Sequence, residues 1–422
     1  MLIKNVLRTE FVSNFKGFAS WLILAQLITA AFIPALTRVY SPEKYATLAL
    51  FMALVATVAP IVCGRYEQVI PISTTETEKH SAIKLCFFIN WCFFLLAICS
   101  AFLAFTISDY IGWAGDINWT LGLAPFGLGL LGVLGILRNA GLSQGAYKLI
   151  GFGALAQALI AGVVSLALGL MNFGESGLLF GFVSGLLASV MVLFGHGKIS
   201  TSVVFPKLRP ADFKTAKKFA HFPLVNSFTS LLDCATLSMP VFFLASSYAG
   251  EVLGYYSLVL RAFNTPMNVV SQSVGQIALK RVADLVNGGG SPLPFFKKSV
   301  ALLSFSGLIA AIIFVGVSKN GFGLIFGSKW SGAGVYAVIL APSLLIRFVV
   351  GTLSSLIIPA GHVKLVSIWQ FFAFCSTGLV CLFFSGLADP ESFLIALVVN
   401  DLIVYSIYFC VIFFAVCNVK RI

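Results

Sequence analysis

GKISTSVVFPKLRPADFKTAKKFAHFP, residues 197–223, is the longest polar interruption in an otherwise apolar chain. It carries Lys198, Lys207, Arg209, Lys214, Lys217 and Lys218 against a single acid, Asp212. Read as a helix, Ala211 to Ala220 sets Phe213, Ala216, Phe219 and Ala220 along one stripe with a basic back. That is the profile of a helix lying on a membrane surface; a solvated basic connector is the plainer alternative. Either way the stretch divides the chain into an N-terminal lobe (1–197), a basic cytoplasmic linker (198–222) and a C-terminal lobe (223–422).

The sequence on both sides of the linker has too much apolar surface for soluble domains. The 422 residues are 59% hydrophobic and 10% charged, with a mean hydropathy of +1.00. Soluble domains of this total length need roughly a quarter of their residues charged to cover their surfaces. The chain is therefore an integral membrane protein. Runs able to cross ~30 Å of hydrocarbon fall near 18–36, 46–63, 82–105, 118–137, 150–171 and 175–195, then near 223–246, 252–277, 299–318, 333–358, 365–386 and 391–416. With a cytoplasmic N-terminus, 21 of the 27 basic residues lie on inside segments and 4 on outside loops, a positive-inside pattern that puts both termini in the cytoplasm. The net charge of +12 is then mainly topological, and no basic patch interleaved with exposed aromatics argues for nucleic acid. Nine cysteines without Cys-x-x-Cys spacing and four scattered histidines suggest no disulfide framework and no metal site.

The two halves repeat each other in register. Leu123-Ala-Pro125 is matched by Leu340-Ala-Pro342, Gly145 to Ile150 by Gly361 to Val366, and Glu43 to Leu50 by Glu251 to Leu258. Six spans per copy is an even number, so both copies share one orientation. The expected fold is all-α, with about twelve transmembrane helices in two six-helix lobes related by a pseudo-two-fold along the membrane normal.

Four ionisable residues fall near the middle of spans: Asp233, Arg261, Arg347 and Asp401, all beyond the linker. A charge at that depth costs at least ~2.5–3.5 kcal/mol and calls for water, a partner or a ligand. Their formal sum is zero, which suits two buried ion pairs. On a functional reading, Arg261 and Arg347 line a cavity and receive an anionic headgroup, because the guanidinium fork stays charged and binds phosphate at two points. Asp233 and Asp401 would then be proton or cation sites, or tune those arginines. Asn264, Asn268 and Gln272 continue from Arg261 at i+3, i+7 and i+11, a polar stripe expected to face the cavity. Arg65, Glu67 and Arg138, at the inner ends of spans 2 and 4, either form a cytoplasmic vestibule or anchor the interface. The sequence has no phosphate-binding loop, zinc spacing or nucleophile elbow, and its short outside loops argue against a polymerase or ligase.

Four segments carry a resemblance: Ile33 to Tyr45 (IPALTRVYSPEKY), Arg65 to Pro71 (RYEQVIP), Gly254 to Arg261 (GYYSLVLR) with Pro266, and Ile325 to Gly334 (IFGSKWSGAG). In this order they resemble the polysaccharide-biosynthesis flippases that move O-antigen or capsule repeat units in the bacterial inner membrane, within the multidrug/oligosaccharidyl-lipid/polysaccharide exporter superfamily. The resemblance implies an undecaprenyl-pyrophosphate-linked oligosaccharide as substrate and alternating access driven by H+ or Na+ without a cofactor. It also implies membrane lipids, a polysaccharide polymerase and chain-length machinery as partners. A drug antiporter of the same superfamily is the alternative, which the central arginines disfavour.

Overall fold

The computed structural model describes residues 2–111, 122–195, 203–287, 290–318, 321–357, 363–386 and 389–418. Among them there are helices and turns and no strand. The first helices are α1 (Leu2–Val39), α2 (Pro42–Val58), α3 (Glu76–Ile111), α4 (Ala124–Ser143), α5 (Tyr147–Leu170) and α6 (Ser176–Phe194). The linker forms one short helix, α7 (Pro210–Lys218), and α8 (Ser227–Ser247), α9 (Gly250–Asn287) and α10 (Leu293–Ser318) follow. The chain ends with α11 (Gly321–Phe326), α12 (Ala333–Leu353), α13 (Val363–Phe384) and α14 (Pro390–Cys417).

Among the described residues each span expected from hydropathy falls on a helix. Eleven of the described helices are long and apolar enough to cross a membrane. The twelfth, α9, runs 38 residues but is interrupted by its polar stripe, which lowers its hydropathy. The expected turn at Gly174 is tight because Asn172 and Gly174 both take left-handed backbone conformations, at φ 60° and 65°. Pro42 opens α2, where its missing N–H is no loss, and the Tyr45 amide donates to the Ser41 carbonyl at 3.2 Å. The repeat is carried by helix order: α2 starts at Pro42 and α9 at Gly250, the spacing of the Glu43 and Glu251 match. The proline triplets differ in depth, since Pro125 lies at the start of α4 and Pro342 well inside α12. Lys198, Lys319, the turn at Gly361 and His362, Lys420 and Arg421 lie outside the described residues.

Two compact units are present: residues 1–32 with 50–234, and residues 33–49 with 235–422. This division is not two contiguous halves. The linker and the start of α8 through Cys234 group with the first unit, and the hairpin 33–49 groups with the second.

In the first unit, glycines let α3 and α4 approach closely. A side chain on Gly132 would meet Asn90 Cγ at 2.8 Å and Val62 Cγ1 at 2.9 Å, and Cys63 Sγ lies 3.6 Å from the Gly132 carbonyl. A core of Tyr66, Val69, Ile70, Cys86, Phe87, Ile136 and Val203 is buried beneath α7. Against expectation, α7 is fastened to protein on one face. Ala216 and Phe219 pack on that core, and the Tyr66 hydroxyl donates to the Ala216 carbonyl at 3.0 Å. Ser81 donates to Asp212 at 2.6 Å, and Lys218 pairs with Glu78. Only Phe213 of the expected stripe points outward, 60% exposed.

In the second unit, Trp330 is fully buried and its indole N–H donates to the Thr37 carbonyl at 2.7 Å, with Tyr45 edge-on at 5.1 Å. The segment from Lys319 to Gly332, expected as a plain outside loop, instead contains α11 and the helical turn Ser328–Trp330. These contacts bind the hairpin 33–49 to the second unit.

Candidate functional site

A cavity of about 560 Å³ lies within the second unit, between α9 and α12. The spacing of Asn264, Asn268 and Gln272 on α9 puts all three on its wall, as the stripe pattern anticipates. Arg347 and Thr352 face them from α12, and Tyr405 contributes from α14. Thr352 also donates to Ser271 at 2.8 Å and so ties α12 to α9 at the cavity wall.

Arg347 is the charged group on this wall. Its Nη2 lies 2.7 Å from Asp401 Oδ1, with the arginine side chain 20% exposed and the carboxylate 7% exposed. Ser343, one helical turn before Arg347, donates to the other carboxylate oxygen. One turn of α12 therefore saturates one carboxylate on α14. The guanidinium also sits 5.6 Å from the Tyr405 ring centroid, and its Nε is buried without a hydrogen-bond partner. A buried donor left unsatisfied beside a cavity is suited to an incoming acceptor.

Arg261 is placed differently. It is half-buried on α9 with its guanidinium 6.0 Å from the ring centroid of Tyr45, and it is not among the residues that line this cavity. Asp233 belongs to the first unit, where the Arg65 guanidinium is within electrostatic reach of its carboxylate. The four mid-span charges are thus not one group in one unit, and Arg347 and Asp401 form an ion pair.

The vestibule residues are in the first unit. Gly64 and Arg65 both take left-handed backbone at φ 58°, which ends the helical run after α2 and turns the chain into short helical turns. Arg65 and Glu67 pair at 3.7 Å. Arg65 Nε and Glu67 Oε2 are buried without hydrogen-bond partners. Burial pushes the Glu67 carboxyl above the usual carboxylate range, and a backbone hydrogen bond and Arg65 only partly offset this. Arg138 on α4 donates to Gln157 on α5 at 3.0 Å, an interhelical tie.

Sequence reasoning missed the polar groups that support the pair. Asn400, next to Asp401, accepts from Ser376 and donates to Thr377 at 3.2 Å, which locks α14 to α13. Ser343, Ser376 and Thr377 are single hydroxyls on apolar helices, and no spacing rule singles them out. Among the described residues no three of His, Cys, Asp and Glu cluster as a metal site.

Residues 35–335 match the family described as Polysaccharide biosynthesis protein. No curated protein matches the sequence. Among solved structures, the chain is similar to the lipid II flippase MurJ in an inward closed conformation. That likeness has a TM-score of 0.70 at 14% identity and covers 93% of this chain and 87% of that one. It is also similar to the eukaryotic MATE transporter AtDTX14, with a TM-score of 0.60 at 14% identity over 96% of each chain. A multidrug resistance MATE family transporter of the MOP superfamily, inward-facing, gives 0.59 at 14% identity over 95% and 96%. At these identities the likeness establishes the fold. It is an all-α integral membrane fold of twelve transmembrane helices in two lobes.

Proposed function

The chain belongs to the polysaccharide biosynthesis protein family, and on that premise we propose that it is a flippase for a lipid-linked oligosaccharide. The substrate is an undecaprenyl-pyrophosphate-linked O-antigen or capsule repeat unit, moved from the cytoplasmic to the periplasmic leaflet of a bacterial inner membrane by alternating access. The observation that carries this reading is Arg347, a permanently charged fork with a buried, unpartnered Nε, held beside a cavity that Asn264, Asn268 and Gln272 also line. A pyrophosphate oxygen supplies the missing acceptor, and bidentate contact between guanidinium and phosphate adds orientation to attraction. Asn264, Asn268 and Gln272 then offer amide donors and acceptors to sugar hydroxyls, groups that would otherwise cross hydrocarbon unsatisfied.

Arg261 guides the headgroup from the same helix, and Asp401 returns to Arg347 as counterion when the headgroup leaves. Coupling to H+ or Na+ runs through Asp233 or Asp401, and Arg65, Glu67 and Arg138 form the cytoplasmic vestibule. Polymerase and chain-length machinery take the product on the far side. A drug-cation antiporter needs a free carboxylate facing its cavity. Here the wall shows a guanidinium, and the carboxylate behind it is occupied by Arg347 and Ser343.

The test is deletion and complementation in the host, with lipid-linked repeat units measured in each leaflet. Loss of surface polymer with repeat units retained on the cytoplasmic face supports the proposal. Repeat units that reach the periplasm unpolymerised overturn it.

A further inference from the structure

Within the first unit a second cavity, of about 550 Å³, opens between the start of α3 and the start of α7. Lys79, Lys84 and Arg209 line it with His80, against the acids Glu76 and Asp212. Three cations face these two acids, with Glu76 paired to Lys79 and Asp212 within electrostatic reach of Lys84 and Arg209. Asp212 is 3% exposed, and its oxygens are taken by the Ser81 hydroxyl at 2.6 Å and the Arg209 amide at 2.8 Å. Burial alone would raise its carboxyl. These two donors, with Lys84 and Arg209 nearby, outweigh burial and hold it below the usual range, so it stays anionic and satisfied.

Glu76 stands 90% exposed, 3.5 Å from a Lys79 side chain that is only 14% exposed. The Lys79 side chain is largely covered while its partner carboxylate is solvated, and a pair of this kind contributes little. Lys84 and Arg209 form no ion pair with any described residue. The cavity is therefore a partly open cluster of three cations against two carboxylates, with an excess of positive charge. The same segment presents Phe205, 74% exposed, and Phe213, 60% exposed, large apolar side chains suited to the headgroup layer of a membrane.

We propose that the α3–α7 cavity binds a phosphate group, the chemistry shared by an anionic lipid headgroup and a soluble phosphate compound, and that binding fastens α7 against α3. A multiply charged tetrahedral anion matches two ammonium groups and a guanidinium converging from different elements. The inference stands apart from the transport reading, because its test measures binding and not flipping.

The experiment follows thermal unfolding of the full-length protein in a neutral detergent while dioctanoyl-phosphatidylglycerol or inorganic pyrophosphate is titrated. A ligand that binds only the folded state raises the melting temperature with saturation. Exchanging both cavity lysines, Lys79→Gln with Lys84→Gln, is expected to weaken the apparent affinity at least ~10-fold, a change of about 1.4 kcal/mol. Lys214→Gln with Lys217→Gln removes equal charge from the exposed side of α7 and is expected to weaken it less than ~2-fold, as surface charge is screened. Should the cavity pair fail to fold, Lys84→Gln alone, a partly buried residue with no ion pair, takes its place, with a weakening larger than that of the control expected. Saturation by phosphatidylglycerol alone that the cavity variant weakens and the control does not supports the proposal with a lipid as the source, and the same pattern with pyrophosphate supports it with a soluble source. Pyrophosphate stabilisation that the cavity variant leaves unchanged belongs to the Arg347 site and overturns the proposal. Equal weakening in cavity and control variants, or no saturable stabilisation by either probe, overturns it.

Discussion

Exchanging both members of the Arg347 and Asp401 pair separates what the pair does for the fold from what the guanidinium does for transport. Arg347 Nη2 and Asp401 Oδ1 are 2.7 Å apart, and both side chains are mostly buried. At an effective dielectric of about 20, unit charges about 4 Å apart attract by about 4 kcal/mol. Asp401→Asn leaves the guanidinium uncompensated, which in buried pairs costs about 3–5 kcal/mol. Because Arg347 keeps a fifth of its surface open to the cavity, the lower end of that range is expected. Arg347→Met leaves the carboxylate with only the Ser343 hydroxyl and costs a similar amount. The double variant Arg347→Met with Asp401→Asn removes both charges and keeps the volumes close, so its stability should return to within about 1 kcal/mol of wild type. Equilibrium unfolding in mixed micelles and membrane abundance read the stability, and leaflet-resolved repeat-unit assays read the transport. The expected result is a double variant that is abundant and inactive. If it transports at the wild-type rate, the pyrophosphate role of Arg347 is refuted. If the two single changes add without coupling, the energetic importance of the ion pair is refuted instead.

Other perturbations test the packing and the titration. Gly132→Ala places a methyl group within 3 Å of Asn90 and Val62, and overpacking of this kind should cost about 1–3 kcal/mol in unfolding measurements. Trp330→Phe keeps the apolar bulk but leaves the Thr37 carbonyl without its donor; the expected loss is about 1–3 kcal/mol, against about 3–5 kcal/mol for Trp330→Ala. Glu67 has a raised carboxyl pKa in the folded protein, so its contribution is fully present below the unfolded value of about 4.3 and is lost as pH rises through the folded value. Glu67→Gln should therefore flatten the decline in melting temperature from acidic to neutral pH.

The fold was legible because span length and hydropathy are properties of single segments. Helix order, the tight turn at Gly174 and the opening of α2 at Pro42 all follow from local rules. The stripe of Asn264, Asn268 and Gln272 was legible for the same reason, since helical period alone puts the three on one face. Partnership was not legible in this way. Asp233, Arg261, Arg347 and Asp401 allow several neutral pairings, and only the packing of α12 on α14 selects Arg347 with Asp401. The placement of Arg261 over Tyr45 depends on the hairpin 33–49, more than two hundred residues earlier, which packs with the second unit. The clamp on α7 was hidden because it rests on Ser81 and Tyr66, two residues that no amphipathic pattern marks.

On the proposed reading, the pairing of Arg347 also answers how an arginine can serve a cycle that must release its cargo. An unpaired guanidinium in an apolar span costs several kcal/mol and would hold a pyrophosphate too firmly to let it go. Asp401 lowers that cost while the cavity is empty, and it stays within reach to reclaim the Nη2 when the anion departs. The buried Nε remains as the contact that the resting pair leaves unmade. The substrate then gains only the difference between its own hold on the guanidinium and that of Asp401. A carrier works with such a difference, because binding must be strong enough to select the anion and weak enough to be reversed in the other leaflet. The Ser343 hydroxyl serves the same balance, since it keeps Asp401 hydrogen-bonded when the guanidinium turns toward the cavity.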